Sequence, residues 1–444
     1  MTLDLPPSPR IPAEGALLSA SLWQATARPA PDCPPLRGEE RTEVAVVGAG
    51  FTGLSTAIHL AERGVAVRVL DAQGPGWGAS GRNGGQVIAG LKEDPDTLER
   101  LYGAETGGRL IAFSSGAPDV LFDLVARHGI QCSARRAGWI QPAHTEAASV
   151  LLRERVRQWS ARGVPIRMLD AAETARLIGT ERYLCAALDL RGGSVQPLDL
   201  ALGMAEAAQR LGAHVHGQTP VTRLEQRGEG WVLHTPAGRL TADRVVLGTN
   251  GYADGLHDGL RRSLVPVVSV QVATAPLSDN LRRSILPEGH VASDMRRLMF
   301  YYRLSPCGRL VMGGRGAYGD RGVEAQLAGL RQAAAWVFPQ IGAPEWTHHW
   351  GGFVAMTPDH LPHLHELAPG LIAAAGYNGR GVAMATAMGQ AIADRLTGTP
   401  AEALAFPPSP LRPIPLHGFR RMGVSAVVAW RRWLDRRDGN APGR

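Results

Sequence analysis

The sequence predicts an α/β protein: a Rossmann-type dinucleotide-binding domain interleaved with an α+β domain built on an antiparallel sheet. Three observations lead there. The apolar strand Val44-Ala45-Val46-Val47 runs into Gly48-Ala49-Gly50-Phe51-Thr52-Gly53 and a helix, then into a second strand, Val65 to Leu70. A second glycine-rich turn, Gly376 to Gly381, opens a small-residue helix near the other end. Between them, residues 265–350 alternate short strands and turns.

Residues 1–40, rich in Pro and Ala, read as an arm. In the first helix Leu54, Ala57, Ile58 and Ala61 fall on one face, and Gly64 sits where a helix end wants a left-handed residue. The continuous apolar strands indicate a parallel sheet covered on both sides. Residues from about 95 to 190 read as mostly helical. A helix around 200–210 leads to Ala213–His216, a small antiparallel meander, and the buried strand Arg244–Leu247. The expected organisation is a nucleotide-binding domain from 41–95, 196–264 and 350–410, and a substrate domain from 96–195 and 265–349. A basic amphipathic helix covers 411–444.

Composition narrows the function classes. The 444 residues are 44% hydrophobic and 20% charged, enough for a large core and against global disorder. No apolar run approaches the length of a membrane span, and residues 1–15 lack the apolar centre of a signal peptide. Cys33, Cys132, Cys185 and Cys307 are far apart, which favours reduced cytoplasmic thiols over disulfides or a zinc site. The net charge of +7 comes from arginines alternating with acids, so nucleic-acid binding is not expected.

The first glycine turn suits a pyrophosphate. Gly48 allows the tight turn, Gly50 lets the ligand approach the backbone, and Gly53 lets helix and strand pack closely. The helix N-terminus then offers free N–H groups. Asp71, with Ala72 and Gln73 after it, ends the second strand where a carboxylate accepts ribose hydroxyls. Gly78-Ala79-Ser80-Gly81-Arg82-Asn83-Gly84-Gly85-Gln86 can wrap an anion with its backbone, and Arg82 adds charge. Gly376-Tyr377-Asn378-Gly379-Arg380-Gly381-Val382 points a second helix N-terminus at the ligand, which suits a flavin that gains negative charge on reduction.

With Ser21–Ala27, Gly76–Gln86, Thr249-Asn250-Gly251-Tyr252, Trp350-Gly351-Gly352 and Thr357–Pro362, these motifs resemble the D-amino-acid-oxidase-type, glycine-oxidase-like flavoprotein amine oxidoreductases, in particular their gamma-glutamylputrescine oxidoreductase branch. The resemblance implies extended FAD, with Val221 at the adenine and residues 80–86 along pyrophosphate and isoalloxazine. Residues 376–382 would lie at the pyrimidine edge, with Thr249, Asn250, Gly251, Trp350 and Gly352 lining the site. It implies hydride transfer from an amine-bearing carbon to flavin N5, then hydrolysis of the imine. Covalent-flavin relatives carry a cysteine where this chain has Ala355 and Met356, so the FAD is expected to be non-covalent. Val311 replaces the lysine that assists oxygen in sarcosine-oxidase relatives, leaving the acceptor open between oxygen and another species. Ala383 replaces their carboxylate-binding lysine, which argues against sarcosine.

Lys92, the sole lysine and six residues after the flavin loop, is a catalytic candidate together with Tyr302 and Arg303. Tyr302 is expected to wall the amine pocket, with Arg303 on the other strand face. His348, His349, His360, His363 and His365 are split by prolines, and no metal is expected. The tail is expected to dock on its own domain, with peripheral membrane contact as the alternative. The functional reading is oxidation of a small amine such as a gamma-glutamylated polyamine. Alternatives are an N-alkyl- or D-amino-acid dehydrogenase or oxidase and, more remotely, a non-catalytic flavin-bearing binding protein.

Overall fold

The computed structural model of the chain describes residues 21–253, 255–316 and 323–437. Its first sheet has eight strands. Gly38–Val47 lies at the centre, parallel to Gly238–Leu247 on one side and to Val67–Leu70 on the other. His214–His216 extends one edge, and Leu371–Ala375 followed by His363–Ala368 extends the other. The meander strands Arg223–Arg227 and Gly230–Thr235 pair antiparallel onto Gly238–Leu247. The strand ends Val44–Val47 are buried because helices cover one face and the meander side covers the other.

Helices Phe51–Ala61, Pro197–Arg210, Gly381–Leu396 and the long, kinked Pro95–Arg127 form the helical layer. The crossing of Phe51–Ala61 with Gly381–Leu396 is close. A Cβ on Gly389 would stand 2.5 Å from the Ser55 Cβ, and the Ser55 hydroxyl donates to the Thr386 carbonyl at 2.6 Å.

The second sheet also has eight strands, in the order Trp346–Met356, Val265–Thr274, Leu310–Arg315, Tyr301–Leu304, Val291–Ser293, Trp139–Ala143, Cys185–Asp189, Ile166–Leu169. All its pairings are antiparallel except Val291–Ser293 with Trp139–Ala143. Three of these strands fall in the stretch expected to be mostly helical; each has four or five residues, too few for a period to show. The boundary expected at residue 350 falls inside Trp346–Met356, which pairs along its whole length with Val265–Thr274.

The arm is more than an extended leader. Ser21 caps a short helix, Leu22–Thr26, and Trp23 is fully buried beneath the glycine-rich loop. Residues 1–20 and 438–444 of the expected arm and tail lie outside the described residues.

The close helix crossing is testable. Gly389→Val should destabilise the protein by about 1–3 kcal/mol in urea unfolding. Gly329→Ala, where an added Cβ meets nothing within 4 Å, should be neutral or mildly stabilising.

Candidate active site

A cavity of ≈ 1160 Å³ opens between the two sheets. At one end the nucleotide turn is built by close backbone approach. Gly48 has φ 105°, and a Cβ on Gly53 would lie 2.0 Å from the Gly48 carbonyl oxygen. Asp71 fixes this turn: one carboxylate oxygen accepts from the Ala49 N–H at 2.7 Å, the other from Gln73 and Gly74 N–H at 2.9 Å. The Ser80 hydroxyl accepts from Phe51 N–H at 2.9 Å and so ties the glycine-rich loop to the helix start.

The second glycine entry is equally constrained. Gly376 has φ 82°, and its N–H donates to Asn250 Oδ1 at 3.0 Å. Asn378, at φ 50°, accepts from Thr357 N–H through its side chain. The Tyr377 hydroxyl lies 2.6 Å from the Thr52 hydroxyl, linking the two helix N-termini, and burial raises its pKa. No side chain caps Gly381–Leu396, so its first N–H groups remain for a ligand.

Gly48, Ala49, Gly50, Phe51, Thr52, Asp71, Ala72, Gln73, Gly78, Ala79, Ser80, Arg82, Asn83, Gly84, Gln86 and Val221 face this one cavity, as do Thr249, Asn250, Gly352, Tyr377, Asn378, Gly379, Gly381 and Val382. Gly53, Gly85, Gly251, Trp350 and Gly376 stand behind the lining and shape it. Trp350, for instance, donates its indole N–H to the Arg82 carbonyl at 3.0 Å.

Two buried polar atoms test whether a flavin dinucleotide fits. Arg82, 8% exposed, donates Nε–H to the Trp77 carbonyl at 2.8 Å, while its Nη1 finds no hydrogen-bond partner. Gln271 donates to the Arg82 carbonyl at 2.7 Å, and its Oε1 is likewise unsatisfied. An anionic pyrophosphate and a ring system with donors and acceptors answer both needs. The residues fit FAD.

The catalytic candidates separate. Lys92 lines the cavity and is half-buried. Burial, then Arg380, Arg155 and Arg431, lower its pKa to about 7. It forms no ion pair among the described residues, and the nearby Asp94 is engaged by Arg155 at 2.6 Å. Tyr302 is not a pocket wall. It is fully buried on the other strand face, its hydroxyl donating to that of Tyr183 at 3.0 Å and its ring packed on Phe338. Tyr301 faces the cavity instead, with its hydroxyl 2.8 Å from that of Ser269. Arg303 is structural: Nη1 donates to the carbonyls of Gly85 at 2.9 Å and Val195 at 2.7 Å, and burial lowers its pKa to about 10. Val311 packs with Leu22, Trp23, Ala273 and Trp350 and does not line the cavity.

The tail docks on its own chain as expected, but its place in the cavity lining was not read from the sequence. Helix Arg420–Arg437 docks over the cavity, placing Val427, Val428 and Arg431 in its lining. Asp435 anchors it, accepting from Arg297 at 3.1 Å and from Leu298 N–H at 3.2 Å. The four-residue spacing of Val424, Val428 and, one turn on, Arg431 and Asp435 was the available signal. Among the described residues no group of three or more His, Cys, Asp or Glu is placed to hold a metal. His363 is instead held by Asp359 at 3.1 Å and Ser409 at 2.8 Å.

This fold and cavity define an FAD-binding oxidoreductase. A model of the FAD dependent oxidoreductase (DAO) family matches residues 43–395, and the chain belongs to that family. It is 32% identical over 389 residues to gamma-glutamylputrescine oxidoreductase of Escherichia coli K12, covering 87% of this chain and 91% of that protein. It is 32% identical over 384 residues to the probable oxidoreductase OrdL of Rhizobium meliloti, covering 86% and 89%. Among solved structures, glycine oxidase from Geobacillus kaustophilus superposes with a TM-score of 0.68 at 25% identity, over 80% of this chain and 94% of that one.

The unsatisfied guanidinium N–H gives a direct test of the cofactor site. Arg82→Met should weaken FAD binding about 10- to 100-fold, the loss of one charge-assisted hydrogen bond. Titration of apoprotein with FAD, followed by flavin fluorescence, measures it; unchanged affinity would remove Arg82 from the site.

Proposed function

We propose that the chain oxidises a small amine of the gamma-glutamylputrescine kind, producing an imine that hydrolyses to an aldehyde and an amine. Bound FAD supplies the hydride acceptor. The observation that carries this reading is Lys92, the lone amine in the cavity, held without an ion pair among cations. Hydride leaves readily only from carbon beside a neutral amine, so an arriving ammonium must first lose its proton. Lys92, neutral above about pH 7, accepts that proton. Tyr301 and Ser269 form an adjacent wall that positions the substrate.

The charge of the cavity supports a substrate bearing a carboxylate. Among the described lining residues the sole acid is Asp71, engaged in the nucleotide turn, whereas Arg297, Arg315 and Arg431 line the end near Lys92 and Tyr301. The identity to gamma-glutamylputrescine oxidoreductase supports the same reading. The nearest alternative, an N-alkyl- or D-amino-acid substrate, carries its carboxylate on a carbon bonded to the amine nitrogen. Non-covalent FAD is part of the proposal: no cysteine lines the described cavity, and buried Ala355 occupies its wall. The proposed acceptor is oxygen or another oxidant, and the proposed compartment is the cytoplasm.

Anaerobic addition of gamma-glutamylputrescine to the FAD-loaded protein should bleach the oxidised flavin band. An unbleached band would reject this substrate in favour of N-alkyl or D-amino acids. The rate of flavin reduction should rise with pH through about 7, where Lys92 gives up its proton. In Lys92→Met that limb should disappear, with the rate at neutral pH falling about 10²-fold or more. Persistence of the limb would remove Lys92 from proton transfer.

A further inference from the structure

The C-terminal helix carries two stripes on opposite sides. One is Val424, Val428, Arg431 and Asp435, spaced four, three and four residues apart; in it Val428 and Arg431 line the cavity and Asp435 meets Arg297. The other is Met422, Ala426, Trp430, Trp433 and Arg437, with the same periodicity and displaced by about half a turn. Among the described residues, the large apolar side chains of the second stripe are exposed. Met422 is 69% exposed, Trp430 59% and Trp433 50%, and Phe419 just before the helix is 62% exposed. The two indoles stack on each other at 5.2 Å, and the Arg437 guanidinium lies over Trp433. Exposed large apolar side chains are scattered elsewhere on the molecule but gather here, which marks an interaction surface.

We propose that this outer stripe is a docking face for an anionic lipid surface, so that the helix covering the cavity also attaches the enzyme peripherally to a membrane. Charge selects this occupant. Residues 420–437 hold six arginines, of which Arg431 is turned into the cavity, against the single acid Asp435, and that acid is already engaged with Arg297. A second copy apposed on the same stripe would bring two such cationic segments together. Anionic headgroups would neutralise the arginines, and tryptophans favour the interfacial level where ring and N–H are both satisfied. A membrane span is not required: no described helix is long and apolar enough for one.

The test uses the full FAD-loaded chain and vesicles of phosphatidylcholine with or without 30% (about one lipid in three) phosphatidylglycerol. The protein should co-sediment with the anionic vesicles, weakly or not at all with neutral ones, and release as salt rises. Trp430→Ser/Trp433→Ser should bind the anionic vesicles at least about 10-fold more weakly. Its flavin content and melting temperature, checked in parallel, should match those of the parent, which excludes simple misfolding. Failure of the parent protein to bind anionic vesicles would overturn the proposal. So would a concentration-dependent dimer that the double substitution dissociates, since that assigns the stripe to a second copy.

Discussion

The loop at residues 78–86 is tied within itself through Asn83, which donates to the Ala79 and Ser80 carbonyls and accepts from Gly85 N–H, and the site depends further on the groups that grip its carbonyls from outside. Trp23 donates to the Asn83 carbonyl, Trp350 and Gln271 to that of Arg82, and Arg303 to that of Gly85. These donors come from the arm and from three strands of the second sheet, so the loop is the keystone between the two bodies. Its glycines matter because the partners stand close: a Cβ on Gly84 would meet the Tyr301 ring at 2.9 Å, and one on Gly85 the Val195 carbonyl at 2.3 Å. With the backbone pinned from beneath, the opposite side of the loop and the Arg82 side chain remain for the ligand.

Burying Arg303 in that role is costly and is compensated by carbonyl acceptors. No described carboxylate pairs with it, and the depressed pKa reflects desolvation. Arg303 also lies over the Trp23 ring at 5.5 Å, so the arm supplies part of its surroundings. A cation that looks catalytic on paper thus belongs to the scaffold. Lys92 shows the converse, being held among arginines with no compensating acid among the described residues.

Much of the nucleotide end was legible in the sequence, because glycine spacing there reports backbone demands that hold in any protein with this turn. The two strand-turn-helix entries, Asp71 and the loop all carry such local signals. The substrate end was harder to read. In Met299–Arg303 both strand faces are largely apolar or aromatic, so period two leaves open which of them faces the cavity. The structure resolves it through distant residues: Gly313 makes room for the Tyr301 ring, while Tyr183 and Phe338 receive Tyr302. Gly313-Gly314 in the neighbouring strand was the one hint. The amphipathic pattern of the tail announced docking but not its position, which is fixed in part by Asp435 meeting Arg297, a contact between residues 138 positions apart.

The order of strands in the first sheet has a consequence for how the protein is made. Gly38–Val47, among the first elements to be synthesised, pairs with Gly238–Leu247, which in turn pairs with Leu371–Ala375. The central sheet is therefore incomplete until most of the chain has left the ribosome, and the early strand waits with an unpaired, apolar edge. Long-range parallel pairing is slow to form. Helix Gly381–Leu396, which seals the helical layer against Phe51–Ala61, comes later still, so the nascent protein stays vulnerable to aggregation until near the end of synthesis.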